Sequence, residues 1–351
     1  MGAGGVMETI LVLLHNDADG ALPKAALEAV AAGARISGEL GAKAFVVGLI
    51  GHALQPCIDQ LATCGASRFV AVDGPEFGHS RYATDAAAAE AVARHVGATL
   101  IVAPMTSRFA RVLPGVAHRL GGRVDTHVTG FGAVDGVPAV TRWFYRQRME
   151  GTLRRTERPW MVLIDPGAGP AWSGAEGSAA AEAVAATCGP SLTRTTVTGI
   201  EAPAGEQQTI RPDADLLFVA GAGWTKKQAD GLPHPADAEV YILDFLKKSR
   251  ASLGGSKSLV DLSGEGQTVL RFMTHLNQIG QTGATPRHPK GLATCCHGEE
   301  PHVVGWRFIT ERRAVNLDPN CGWARGKADV LYVADAFAVM KRVNELLADG
   351  Q

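Results

Sequence analysis

The sequence has no excess of charge of either sign. Its 34 Lys and Arg balance 35 Asp and Glu, and the formal net charge of the 351 residues is -1. Proteins that bind nucleic acid or anionic lipid normally carry a basic excess or a basic stripe, which this chain lacks. We therefore expect no nucleic acid among its partners.

Several motifs of disulfide, metal and phosphate chemistry are also missing. The six cysteines form no C-x-x-C pair, which argues against a disulfide scaffold or a zinc ribbon and favours reduced thiols. The Walker A pattern, the G-x-S-x-G elbow and the H-E-x-x-H zinc motif are absent. Neither phosphate-powered chemistry nor a hydrolase is supported by the sequence.

Long apolar runs are missing as well. No stretch reaches the roughly 18 apolar residues of a membrane span, and the N-terminal residues do not have the pattern of a signal peptide. The chain is nevertheless 46% hydrophobic and 20% charged, which is enough to bury a large core. We expect a soluble, cytoplasmic protein of two domains, since about 150 residues is typical of one domain.

The first part of the chain alternates apolar runs with helical patterns. Strands are predicted at 9–14, 43–49, 68–72 and 99–103, and helices at 24–40, 52–64, 82–96 and 107–120. Strands that are apolar throughout are buried on both faces, and with crossover helices they form a parallel, doubly wound sheet. Residues 123–164 predict a small antiparallel extension of that sheet.

The predicted extension mixes arginines with aromatic side chains. Its arginines are Arg142, Arg146, Arg148, Arg154, Arg155 and Arg158. Cations beside stacking rings are typical of nucleic-acid binding. Alternating strand faces, with buried rings and solvated or paired arginines, are the favoured interpretation because no charge excess accompanies the pattern.

A second α/β unit follows a boundary region at 165–215 that is rich in small and turn-forming residues. Strands are predicted at 194–198, 216–220, 258–260, 291–295, 314–316 and 329–333, and helices at 236–253, 269–278 and 335–347. The sequence thus predicts an α/β protein with two parallel-sheet, Rossmann-like domains. The first spans 1–209, including a linker at 165–209, and the second spans 210–351.

Two glycine motifs in the second domain are placed where a ligand could approach the backbone. Gly221-Ala-Gly223 follows an apolar strand, as a dinucleotide-binding loop does, but Lys226 replaces the third glycine of that fingerprint. In Gly280-Gln-Thr-Gly283, the side chains of Gln281 and Thr282 offer donors and acceptors to a heteroaromatic ring. A plain turn explains the second motif equally well.

The segment 295–302, Cys-Cys-His-Gly-Glu-Glu-Pro-His, supports two interpretations. Its soft and hard ligands are compatible with a metal site, although adjacent cysteines on a strand point to opposite faces. Alternatively, a strand runs into a glycine turn and a helix start, which leaves His302 facing the carboxyl edge of the sheet.

Five motifs, in order, resemble the flavin domain of the electron transfer flavoprotein α subunit. They are Gly254-Gly-Ser256-Lys257 with Val260-Asp261, Gln278-Ile-Gly-Gln-Thr-Gly283, His297-Gly298-Glu-Glu-Pro-His302-Val-Val-Gly305, Asn316-Leu-Asp318-Pro319 and Val333-Ala-Asp335-Ala-Phe337. The first 160 residues also resemble the first domain of that family, so the resemblance covers most of the chain.

The resemblance implies an electron carrier rather than a substrate-converting enzyme. It implies a heterodimer with a β subunit, FAD bound mainly by the C-terminal domain of this chain, and AMP bound by the β subunit. Electrons would pass from a flavin dehydrogenase to a membrane quinone oxidoreductase or a similar acceptor. An α/β nucleotide-binding module that has lost flavin is the alternative, and a metal enzyme built on residues 295–302 is a third hypothesis.

The resemblance also implies which residues bind FAD. They are Gly223, Ser256, Lys257, Gly280, Gln281, Thr282, Gly283, His297, Gly298, His302, Asn316, Asp318 and Asp335. Among them, Lys257 is the expected cation near the flavin ring, Gln281 and Thr282 are ring contacts, and His302 is a donor toward O2. Asn316 and Asp335 are expected at the adenosine part, and Ser256 and Gly280 near the phosphate or ribitol.

Three departures from the family pattern concern the redox potential and the choice of partner. Lys257 stands where the family has Arg, which keeps the charge but loses the planar guanidinium. The loop at Gly221-Ala-Gly-Trp224 lacks an Arg that the family has at this place. Either Trp224 or Lys226 replaces this Arg, or it is left without a replacement. The segment 263–276 is longer than usual.

Overall fold

The computed structural model describes residues 7–17, 19–145, 149–190, 192, 194–199, 210–211, 214–261, 269–280, 283–294 and 309–349. The chain divides into two compact units, Met1–Ile200 and Glu201–Gln351. Each unit combines a sheet with helices, which confirms the predicted α/β class with two Rossmann-like sheets. None of the helices within these ranges has the length and apolar character that crossing a membrane requires.

The first unit is built around one large sheet. Its strands are Thr9–His15 (β1), Ala44–Gly51 (β2), Arg68–Asp73 (β3), Leu100–Pro104 (β4), Arg123–Val134 (β5), Val137–Phe144 (β6), Met149–Leu153 (β7), Trp160–Ile164 (β8) and Ala181–Ala183 (β9). Its α-helices are Lys24–Leu40 (α1), Gln55–Gln60 (α2), Tyr82–Val96 (α3) and Ser107–Arg119 (α4).

The strands of this sheet are ordered β7-β6-β5-β8-β4-β1-β2-β3-β9. Neighbours from β5 to β9 in that order pair in parallel, while β5, β6 and β7 pair antiparallel and form the predicted extension. Side chains of β1 enter two apolar cores. Val12 packs in the core that contains α1, and Leu11 packs in the core that contains α3 and α4. The central strands are therefore buried on both faces, as their composition predicts.

The second unit has a smaller sheet in which every strand is parallel to its neighbours. Its strands are Leu216–Ala220 (β10), Ser252–Gly255 (β11), His288–Thr294 (β12), Ile309–Asn316 (β13) and Val330–Val333 (β14), in the order β11-β10-β12-β13-β14. Its α-helices are Pro235–Ser249 (α5), Lys257–Asp261 (α6), Gly322–Lys327 (α7) and Ala336–Asp349 (α8). Helices α5 and α8 share one apolar core with Phe218 of β10.

Three predicted elements of the chain are wrong. Residues 194–198 form no strand, while a short strand, β9, lies earlier in the boundary region. Residues 258–260 are helical because the Ser256 hydroxyl accepts a hydrogen bond from the Leu259 N–H and starts α6. The predicted helix at 269–278 is reduced to one 3₁₀ turn, His275–Asn277, which the Thr274 side chain caps.

One buried carboxylate holds the antiparallel extension to the parallel sheet. Asp125 of β5 is 1% exposed and accepts hydrogen bonds from Arg155 at 2.6 and 2.9 Å, from Arg142 at 3.2 Å and from the Trp160 indole at 2.9 Å. Burial alone would raise the pKa of Asp125, but these hydrogen bonds outweigh burial and lower it. Arg142 and Arg155 are thus paired, as the favoured interpretation of this segment expects, whereas Arg146 and Arg148 lie outside the described residues.

We expect Asp125→Asn to lower the free energy of unfolding by about 3 kcal/mol, because the variant leaves two guanidinium groups without their carboxylate. Urea unfolding followed by circular dichroism measures this loss. Asp135→Asn is the matched control. It breaks the exposed Asp135–Arg154 pair, whose carboxylate side chain is 82% exposed, and should cost less than about 1 kcal/mol.

The pH dependence of the same variant follows from the lowered pKa. A carboxyl group with a lowered folded pKa stabilises the fold above its unfolded pKa of about 3.9, and this stabilisation is lost as the pH falls toward the folded pKa. The difference between the wild type and Asp125→Asn should therefore be largest above about pH 5 and shrink at lower pH. A difference that is constant with pH would contradict this account.

Candidate functional site

The strand order of the second unit defines where a ligand is expected. From β10 the chain moves first to β11 on one side, and then to β12, β13 and β14 on the other side. In open parallel sheets, ligands bind outside the carboxyl ends of the strands, at the point where the strand order reverses. That point lies between β10 and β12.

The described site residues collect at this carboxyl edge. Gly223 follows β10, and Ser256 and Lys257 follow β11. Asn316 ends β13, Asp318 follows it, and Asp335 follows β14. Parallel pairing aligns the ends of these strands, so residues separated by more than 100 positions in the sequence share one edge. The remaining predicted residues Gln281, Thr282, His297, Gly298 and His302 lie outside the described residues.

Gly280 and Gly283 form a tight turn beside β11. Gln278 bridges to Gly255, and the Ile279 N–H donates to the Gly255 carbonyl at 3.1 Å. Gly280 has φ +74°, and a Cβ atom on Gly283 would lie 2.2 Å from the Gln278 carbonyl oxygen. The turn therefore requires glycine at both positions for its own conformation.

Several predicted ligand groups are engaged with their own backbone. The Ser256 hydroxyl caps α6, and the Gly223 carbonyl accepts from the Gln228 side chain at 3.1 Å. The Asn316 side-chain oxygen accepts from the Asp318 N–H at 2.9 Å, and one carboxylate oxygen of Asp335 accepts from the Phe337 N–H at 3.1 Å. These hydrogen bonds orient the groups at the strand ends.

Trp224 is a core residue rather than a ligand contact. Its side chain is fully buried, its indole N–H donates to the Thr294 hydroxyl at 2.8 Å, and its ring packs 4.6 Å from the ring of Phe337. Trp224 therefore does not replace the missing arginine, whereas Lys226 is exposed at the same loop.

A cleft of about 480 Å³ opens at this edge, and we call it the edge cleft. It is lined by Gln228, Ala229, Asp230, His234, Asp237, Tyr241, Leu317, Asp335, Phe337, Ala338 and Lys341. A volume of this size is typical of small-molecule sites. Of the residues predicted from sequence, Asp335 lines the edge cleft.

The edge cleft is also lined by residues of the loop after β10 that sequence reasoning missed. A ring nitrogen of His234 lies 2.6 Å from a carboxylate oxygen of Asp230. The hydrogen bond from the Leu232 N–H, followed by that from His234, lowers the pKa of Asp230. In the sequence, Gly231 and Pro233 between Asp230 and His234 indicate a turn, but they do not indicate that this turn lines a cleft.

The chemistry of the described groups fits the nucleoside part of a dinucleotide. Phe337, Tyr241 and Leu317 offer ring and apolar surface to a purine, and the carboxylate of Asp335 is an acceptor suited to ribose hydroxyls. The carboxylates of Asp230, Asp237 and Asp335 outnumber the Lys341 ammonium in the lining of the cleft, which disfavours a phosphate there. The edge cleft therefore suits an uncharged nucleoside end of a ligand.

The metal hypothesis gains no support from the described part of the chain, in which no group of three or more His, Cys, Asp or Glu side chains could hold a metal ion. The segment 295–302, on which that hypothesis depends, lies outside the described residues.

The carboxyl edge of the first unit carries a different polar cluster that sequence reasoning also missed. His15 ends β1, and its Nε2 atom lies 2.8 Å from the Thr106 hydroxyl. Burial, and then the charge of Arg108, lower the pKa of His15 to about 4. Arg108 in turn pairs with the fully buried Asp85 at 2.7 Å. These groups satisfy one another and hold the edge together.

We expect Gly283→Ala to destabilise the second unit by about 2 kcal/mol, because its Cβ atom would lie 2.2 Å from the Gln278 carbonyl oxygen and the backbone would have to shift. Gly326→Ala is the control, since a Cβ atom there meets nothing within 4 Å and alanine favours the helix by up to about 1 kcal/mol. Thermal unfolding of both variants measures the difference. Equal stability of the two would contradict the described turn.

A comparison with protein families identifies the first unit. The family model of the electron transfer flavoprotein domain matches residues 10–188, just over half of the chain. The match runs from the second residue of β1 past β9 and so includes all but the first residue of the large sheet. No curated protein matches the chain. The chain belongs to the electron transfer flavoprotein family.

Proposed function

We propose that the chain is the α subunit of an electron transfer flavoprotein and binds FAD in its second unit. With a β subunit that holds AMP, it would carry electrons in the cytoplasm from a flavin dehydrogenase to a quinone oxidoreductase or a similar acceptor. One observation at the carboxyl edge of the second sheet supports this proposal. Four of the five family motifs contribute described residues to this edge, where the strand order reverses.

The chain's own residues would bind and orient the cofactor, and bound FAD would supply the group that accepts and releases electrons. Asp335 and His234 would hold the adenosine part in the edge cleft. Gly280 and Gly283 would bring backbone close to the ligand, because neither carries a side chain. Rigid strand ends reduce the reorganisation that accompanies electron transfer.

One observation favours the alternative of a nucleotide-binding module without flavin. Trp224 is buried in the core, and the exposed Lys226 is the remaining candidate for the role of the missing arginine. A module of this kind would keep the edge cleft and bind a nucleoside ligand, but would not retain FAD.

The presence of flavin tests the proposed function directly. The full-length chain, purified together with its partner subunit, should be yellow and release one equivalent of FAD on denaturation. Visible absorption and chromatography of the released cofactor measure this. A colourless complex that binds no added FAD would overturn the proposal and favour the alternative.

The edge cleft makes a separate prediction about which half of the cofactor each residue contacts. Asp335→Asn keeps an acceptor for the Phe337 N–H, since Asn and Asp cap helices equally well. The variant removes the charge that would strengthen a hydrogen bond to ribose, so we expect FAD affinity to fall on the order of tenfold. His234→Ala should act in the same direction.

FMN is the matched control ligand, because it lacks the adenosine half of FAD. Calorimetric titration should show weaker FAD binding by both variants and unchanged FMN binding. Equal losses for FAD and FMN would place the flavin ring, rather than adenosine, in the edge cleft and contradict this arrangement.

A further inference from the structure

The cation that the sequence offers to the flavin is already paired. Lys257 Nζ forms an ion pair with the carboxylate of Asp261, four residues later on α6. The two side chains are 44% and 29% exposed, so the pair lies at the surface of the edge rather than in the core. His275, on another element, has its Nδ1 3.7 Å from the second carboxylate oxygen of Asp261.

The local fold explains why this pair forms. The Ser256 hydroxyl accepts a hydrogen bond from the Leu259 N–H at 3.1 Å, and the Ser256 backbone carbonyl accepts one from the Val260 N–H at 3.2 Å. The resulting helical turn puts residues four apart on one face, where Lys257 and Asp261 meet. The 3₁₀ helices at Ala222–Thr225 and His275–Asn277 both pack against α6, which locates the pair beside the loop that follows β10.

An ion pair and a free cation act differently on a redox group. A lone positive charge favours the reduced and more negative flavin, and so raises its midpoint potential. A carboxylate in contact with the ammonium offsets that effect, because the potentials of the two opposite charges largely cancel at a distance. Lys257 together with Asp261 therefore presents almost no net charge to a ligand at the edge.

We propose that Asp261 is a positioning residue that holds the Lys257 ammonium. By offsetting the positive charge of this ammonium, Asp261 sets the midpoint potential of the flavin. This inference rests on the proposed function, since it requires FAD at the carboxyl edge. In this proposal, Asp261 tunes the midpoint potential of the cofactor, and the charge of the site depends on both Lys257 and Asp261.

The test compares four variants of the full chain, loaded with FAD and purified with its partner subunit. They are Asp261→Asn, Lys257→Met, the double variant, and Asp261→Glu as the conservative replacement. The midpoint potential of each variant is measured by spectroelectrochemistry at one fixed pH. Circular dichroism and the content of bound FAD establish that each variant is folded and loaded.

We expect opposite shifts from the two single variants. Asp261→Asn should raise the affinity for reduced relative to oxidised flavin on the order of tenfold, about 59 mV for one electron. Lys257→Met should lower that ratio by a similar factor. The double variant and Asp261→Glu should both stay near the wild type, because each leaves the site without net charge.

Asp215→Asn is the matched control for bulk charge, since Asp215 is exposed and precedes β10 at the opposite end of the same sheet. Its potential should equal that of the wild type. An unchanged or lowered potential in Asp261→Asn, or an equal rise in Asp215→Asn, would overturn the role of Asp261 while leaving the proposed function intact. Failure of the wild-type complex to bind FAD would overturn both.

Discussion

The strands of a parallel sheet are covered on both faces. After each strand, the chain must run back along one face of the sheet before the next parallel strand can begin. Both units obey this constraint, and it decides where their polar residues can lie. Every crossing returns the chain to the same end of the sheet, so the loops that leave the strands gather at one edge. In the second unit this brings Gly223, Lys257 and Asp335 to one surface, although more than 100 residues separate the first from the last.

The same constraint explains which elements could be predicted from sequence. The strand β10 and the helices α1 and α3 lie within the predicted ranges, because apolar periodicity is a local signal that burial on both faces makes strong. The predictions fail where a single polar side chain decides the backbone. Ser256 starts a helix over apolar residues that resemble a strand, and Thr274 closes a short turn in place of the predicted helix.

The candidate site shows a similar division. Residues at strand ends could be located from sequence, because the strand itself fixes their edge. Lys257 and Asp261 stand in one sequence motif, but their ion pair was not predicted, since a spacing of four residues brings side chains together only where residues 257–261 are helical. His234 was missed because its place in the edge cleft depends on how a loop closes.

The central claim is that the carboxyl edge of the second sheet binds FAD. The measurement that tests it most directly is an experimental structure of the chain with its partner subunit and bound cofactor. The account predicts flavin density outside the carboxyl ends of β10 and β12, with the adenosine part in the edge cleft beside Asp335. Flavin density at the carboxyl edge of the first unit, or at the amino ends of the strands of the second sheet, would contradict it.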